Sequence, residues 1–270
     1  MENKGPIGVI GAMTVEVKGL IAQMENDRTQ ETAGLVFHRG LLGGVDCVVA
    51  KCGAGKVNSA VCAQVMITQY APRLVINVGV AGSMDVGIGD LVVASQCVQH
   101  DFDTTPLGEP QSQLTICRGE GEESFVMLNS DQAASALLLE EARQIYGGAH
   151  LGVIATGDSF VADPAKGRQL RRQFGAKAVE MEGASIAQAC YMNSVPFAIL
   201  RAVSDNANDD SPADFPAFVQ ACAEKSARLA ELNTALNHAE KEGVEEPEEK
   251  KGTGKGREKA GKEDTQGSGR

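Results

Sequence analysis

The chain has 270 residues, a formal net charge of −11, 43% hydrophobic and 4% aromatic residues, and no tryptophan. That length and apolar content suit one large α/β domain or two small ones around an aliphatic core, and exclude a chain disordered throughout. The acidic balance argues against a nucleic-acid binder, which needs a basic face.

In chain order, "PIGVIGA" (6–12) reads as a strand and roughly 13–25 as a helix. "LVFHRGLLGGVDCVVAKCG" (35–53) reads as a hairpin turning at Gly43-Gly44. A helix over about 55–70 leads into "RLVINVGVAG" (73–82), a continuous apolar strand meeting a glycine-rich turn. "GDLVVASQCV" (89–98) is a further strand, and a helix near 131–146 precedes the strand in "HLGVIATGDSF" (150–160). "AKAVEMEGASIAQACYM" (176–192) switches from strand to helix at its glutamates, "PFAILRAVSD" (196–205) is the last strand, and a helix is expected over about 212–238. Strands alternating with helices predict a largely parallel sheet covered on both faces. Residues 239–270 differ: nine acidic and eight basic residues, seven glycines, and Val244 as the sole larger aliphatic. Such a segment buries too little apolar area to offset its ordering entropy, so 1–238 is expected as the folded domain and 239–270 as a disordered tail.

The seven cysteines (47, 52, 62, 97, 117, 190 and 222) are scattered singly, mostly in apolar runs, as expected of small core residues in a reducing compartment. The four histidines show neither HxxxH nor HExxH spacing, so no metal is expected. "MENKGPIGVIGAM" lacks the basic start and long apolar run of a signal peptide, and no stretch approaches about 18 apolar residues. The expectation is a cytoplasmic protein with no membrane partner.

Five segments end an apolar strand in small or charged residues: "GVIGAMTVE", "INVGVAGSM", "TGDSFVAD", "VEMEGAS" and "RAVSDNAND". Parallel strands would deliver these ends to one rim, where open α/β sheets hold ligands. "GAGK" (53–56) resembles part of a phosphate loop, but Val57 follows the lysine where Ser or Thr is required, so a tight turn opening a helix is favoured. Glu180 and Glu182 flank Met181; on that motif alone a surface pair and a functional pair both stay open.

"IGVIGAMTVEV", "KCGAGKVNSA", "INVGVAGSM", "GDLVVASQ", "QHDFDTTPLG", "TGDSFV", "AVEMEGASIA" and "RAVSDNAND" follow one another as in the 5′-methylthioadenosine/S-adenosylhomocysteine nucleosidases, and the resemblance covers roughly residues 6–235. It implies a single three-layer α/β/α domain, nucleoside phosphorylase-like, whose central sheet is mixed and partly barrel-like, usually as a homodimer and with no cofactor. It implies hydrolysis of the N-glycosidic bond of methylthioadenosine and S-adenosylhomocysteine, with 5′-deoxyadenosine a further candidate. By the same resemblance Asp205 is the acid that protonates adenine N7, and Glu16 holds and deprotonates the attacking water. Glu182, beside Met181, receives the ribose hydroxyls, and Arg201 orders water and carboxylates near the ribose. Ser204 orients Asp205, Phe160 stacks on the base, and Val161 reads its Watson–Crick edge through backbone groups.

Three residues depart from the family pattern. Val80 stands where serine is frequent, Ala54 where a larger aliphatic lines the sugar and 5′ side, and Leu107 where an aromatic comes from the neighbouring subunit. The departures leave the preference among 5′ substituents open, including the larger one of 6-amino-6-deoxyfutalosine. A purine nucleoside phosphorylase would need a cationic phosphate clamp, and in the sequence Lys56 has no evident partner for one. A catalytically silent nucleoside-binding protein is disfavoured by the joint presence of Glu16, Glu182 and Asp205.

Overall fold

The computed structural model describes residues 5–146 and 148–206, with the side chains at 118, 145, 146, 205 and 206 excepted. The helix expected near 212–238 and the tail lie outside the described residues. The strands are β1 (Ile7–Gly11), β2 (Glu25–Thr32), β3 (Leu35–Leu42), β4 (Val45–Lys51), β5 (Leu74–Ser83), β6 (Leu91–Gln99), β7 (Leu114–Arg118), β8 (Gly121–Phe125), β9 (Leu128–Asn129), β10 (Ala149–Thr156), β11 (Ala176–Glu180) and β12 (Phe197–Asn206). The helices are α1 (Thr14–Ala22), α2 (Lys56–Tyr70), α3 (Gln132–Tyr146), α4 (Pro164–Phe174) and α5 (Gly183–Met192).

The main sheet runs β11-β10-β6-β12-β5-β1-β4-β3-β2. β1 lies parallel to β4 and β5, β12 to β5, and β10 to β6 and β11. Antiparallel pairings at β12–β6, β2–β3 and β3–β4 make the sheet mixed, which corrects the largely parallel sheet read from strand–helix alternation. β11 also pairs antiparallel with β5, at Ala178 opposite Ser83 and Val179 opposite Gly82. That second pairing partly closes β11, β10, β6, β12 and β5 into a barrel.

Side-chain alternation builds the three layers. On β12, Ile199 and Val203 join Ile10, Val48 and Val75 under α2 and α5, through Cys62, Met66, Ile186 and Cys190. Ala198, Leu200 and Ala202 face the other way, with Ile7, Val9, Ile76 and Val93, toward Val17 and Leu20 of α1 and Leu138 of α3. α4 covers a smaller cluster through Leu170 and Phe174. Arg201 occupies the register between Ile199 and Val203, so the strand carries a guanidinium into an apolar layer.

Most expected elements stand where their apolar runs put them, including the hairpin turn at Gly43-Gly44, both at positive φ. α1, however, ends at Ala22 and not near 25, and residues 25–32 form edge strand β2. Seven of its eight residues are exposed, so no apolar period marked it. Of the six free cysteines among the described residues, five are buried and Cys117 is exposed. Burial pushes the Cys62 and Cys190 thiols up to about 12, which suits inert core residues.

Candidate active site

All five strand ends singled out in the sequence converge on one cleft of about 650 Å3, counted to its open mouth. β1 and the start of α1 supply Ala12, Met13 and Glu16; β5 supplies Val80, Ala81 and Gly82; and β12 supplies Ser204. Ser159, Phe160 and Val161 follow β10, while Glu180, Met181 and Glu182 join β11 to α5. Ala54 adds the turn after β4. β1, β5 and β12 run parallel and leave their carboxyl ends together, and the antiparallel pairing of β11 with β5 brings the ends of β11 and its parallel neighbour β10 to the same place. The wall is mainly apolar with a few converging polar groups.

Glu16 occupies the third position of α1, where a glutamate side chain turns back to the free amides ahead of the helix. One oxygen accepts from Ala12 N at 2.7 Å and Met13 N at 2.8 Å; the other accepts from Val80 N at 3.2 Å, across the sheet. Burial pushes its pKa up, opposed by the Arg201 charge and these amides. Glycines give it room: a Cβ at Gly79 would stand 2.8 Å from Glu16 Oε1 and 2.5 Å from Arg201 Nη1.

Glu180 and Glu182, indistinct in the sequence, separate in the structure. Glu180 is an internal anchor. Its oxygens accept from the Glu182 and Gly183 amides at the start of α5, from the Thr156 hydroxyl, and from Arg201 Nη2. Thr156 in turn accepts from Ala184 N at 2.8 Å. Glu182 keeps an oxygen for the cleft: Oε1 accepts from Gly55 N at 2.9 Å, and Oε2 lies 3.8 Å from Arg201 Nη2. Burial, with Glu180 alongside, pushes Glu182 up to about 7 against the pull of Arg201 and the Gly55 amide.

Arg201 is 1% exposed and stands behind the cleft wall, held by Glu180 and the Asn77 amide oxygen. Asn77 itself donates to Ile10 O at 2.9 Å, so β1, β5, β11 and β12 meet at one buried guanidinium. Phe160 stands at the mouth, 66% exposed, and Val161 is buried beside it. The Ser204 hydroxyl donates to Ala81 O at 3.3 Å. The pairing of β12 with β5 shifts between Val203 and Asp205, which sets Asp205 opposite Gly82 of the cleft lining; its side chain lies outside the described residues. Leu107 is 79% exposed and does not line this chain's cleft.

"GAGK" is the tight turn expected, with Gly53 and Gly55 at positive φ and Lys56 opening α2. Lys56 pairs with carboxylates and not with a second cation that could build a phosphate clamp: its ammonium lies 2.7 Å from Asp101 and 3.9 Å from Asp158. Sequence reasoning also left Glu180, Asn77 and Thr156 unassigned. Each is a buried polar residue in an apolar run, which was the available signal. Among the described residues no three His, Cys, Asp or Glu side chains are grouped to hold a metal ion.

A family profile described as the phosphorylase superfamily matches residues 6–236. The 5′-methylthioadenosine/S-adenosylhomocysteine nucleosidase of Shewanella sediminis is 39% identical over 226 residues, covering 83% of this chain and 96% of the relative. Its namesake from Shewanella oneidensis is 40% identical over 229 residues, covering 84% and 94%. Among solved structures, the nucleosidase of that name from Neisseria meningitidis in complex with methylthio-immucillin-A superposes with a TM-score of 0.78 at 33% identity, covering 86% of this chain and 99% of that one. The futalosine hydrolase of Helicobacter pylori superposes with a TM-score of 0.77 at 33% identity, covering 86% and 98%. With its barrel-closed mixed sheet and convergent carboxylates, the chain belongs to the phosphorylase superfamily, within its 5′-methylthioadenosine/S-adenosylhomocysteine nucleosidase family.

Proposed function

We propose that the cleft hydrolyses the N-glycosidic bond of 5′-methylthioadenosine and S-adenosylhomocysteine, releasing adenine and the 5-substituted ribose. The observation that carries this reading is the convergence of Glu16 and Glu182 on one mainly apolar cleft, with β12 setting Asp205 opposite Gly82 of its lining. Breaking C1′–N9 leaves positive charge on the ribose and sends the bond pair to the base. Asp205, delivered by β12 to the cleft edge, is the acid for N7. Glu16 takes the proton of the attacking water, and its raised pKa makes it the stronger base while its amide bonds fix its aim. Glu182 accepts from the ribose hydroxyls, and Arg201 holds the charge balance behind both carboxylates. Phe160 and Val161, with Ser204 orienting Asp205, form the base side; Met181, Ala54 and Val80 form the sugar side.

The described cleft lining carries three glutamates and no lysine or arginine, a poor home for phosphate. Water is therefore the nucleophile we favour over phosphorolysis. The exposed Phe102 and Leu107, on the loop following β6, support a homodimer whose partner reaches toward the 5′ side. No helix of the described residues is long and apolar enough to cross a membrane, and we place the enzyme in the cytoplasm. The test is incubation with methylthioadenosine, with and without phosphate. Free methylthioribose in both cases supports hydrolysis, whereas a sugar phosphate would establish a phosphorylase. The 6-amino-6-deoxyfutalosine alternative is decided by offering both nucleosides in competition.

A further inference from the structure

Two loops that line the cleft, those holding Ala54 and Ser159–Val161, are tied to the loop following β6 by groups the proposed chemistry does not use. Asp101, just past β6, is the hub. One of its oxygens accepts from Lys56 Nζ at 2.7 Å and the other from the Asp158 backbone amide at 2.7 Å. Asp158 returns the contact, its Oδ1 accepting from the Lys56 amide at 2.8 Å and its Oδ2 standing 3.9 Å from Lys56 Nζ. That amide belongs to the first turn of α2, whose free donors and dipole favour a carboxylate. Burial works against an ionised Asp101, but the Lys56 ammonium and the Asp158 amide outweigh it and hold its pKa below the usual range. The Lys56 and Asp101 side chains are 17% and 26% exposed, so their pairing is partly shielded from solvent.

The neighbours of these residues give the ties a purpose. Gly55, one residue before Lys56, donates its amide to Glu182, the carboxylate assigned to the ribose. Asp158 lies two and three residues before Phe160 and Val161, the base side of the cleft. Gly55 has φ +95°, and a Cβ there would come within 3.2 Å of Asp158 Oδ1. We propose that Lys56, Asp101 and Asp158 form a clamp that fixes the distance between the base wall and the ribose carboxylate. They are positioning residues for nucleoside binding, a role that rests on the nucleosidase reading.

The test compares full-length wild type with variants, steady-state kinetics on methylthioadenosine being read beside amide hydrogen exchange. Asp158→Ala removes the acceptor of the Lys56 amide, and KM should rise about tenfold while kcat changes less than about threefold. Asp158→Asn keeps an oxygen on that amide and should recover most of the affinity. Lys56→Met keeps the aliphatic stem of the side chain; with Asp158→Ala it should lose little beyond either single change, because the two act as one unit. KM within about twofold of wild type in both Asp158→Ala and Lys56→Met overturns the clamp, as does a fall in kcat alone. If wild type releases no adenine, the nucleosidase reading falls, and exchange then judges the clamp by itself. Amides of Lys56 and Asp158 should exchange at least about tenfold faster in Asp101→Asn, and equal rates overturn it.

Discussion

Glu16 and Glu182 are both held by backbone amides, yet their substitutions should separate. Glu16→Gln keeps the shape and the cleft but cannot accept the proton of water, so kcat should fall about 10²–10⁴-fold while binding of an unreactive nucleoside analogue is spared. Asp205→Asn should lose a similar factor in adenine release for want of the acid, and near wild-type release would sink the mechanism. Glu182→Ala should raise KM as well as lower kcat. Glu182 holds its proton up to about 7, whereas an unfolded glutamate loses it near 4.5. The stability contributed by that proton is therefore complete below 4.5 and lost as pH rises through about 7. Ribose binding runs the other way, since the ionised carboxylate is the better acceptor. Between pH 6 and 8 the KM for methylthioadenosine should fall while Tm also falls, and Glu182→Gln should flatten the Tm slope; a KM rising over that range would contradict the assignment.

At the scale of elements, β5 gives the sharpest test. It runs so close to Arg201 and Glu16 that Gly79→Ala should destabilise the fold by about 1–3 kcal/mol, since neither neighbour sits on a free side-chain end. Urea unfolding measures it, and an unchanged midpoint would show that the buried pair yields more easily than its bonds suggest. The strands β1, β4, β5 and β12 were legible because each is largely buried on both faces and so written as a mainly apolar run. β2 was not, because a strand wet on both sides carries no period; β7 does alternate, with Leu114 and Ile116 buried and Thr115 and Cys117 exposed, but over only five residues. The cleft carboxylates were legible as charges at strand ends. Their donors were not: Val80, Gly55 and Met13 act through amides, which every residue but proline possesses. The irregularity that places both Ser204 and Asp205 against β5 left no mark in the residue types either.

For the whole molecule, the composition of 239–270 predicts that removing it leaves adenine release and Tm unchanged; a drop of several degrees would show that it contributes to the folded body. Sedimentation at micromolar concentration should show a dimer, and a monomer with full activity would count against a shared 5′ side. The ties within the cleft also bear on how the protein comes to life. Glu16 reaches an amide 64 positions away, Gly55 reaches a carboxylate 127 away, and Arg201 reaches Asn77 across 124. A partly folded chain, however rich in helix and strand, holds none of these pairs until its distant segments have docked. Turnover is thus a reporter of completed folding. During refolding from urea, adenine release should never regain amplitude ahead of the far-ultraviolet circular dichroism, and a nascent chain stays inert until β12 is in place.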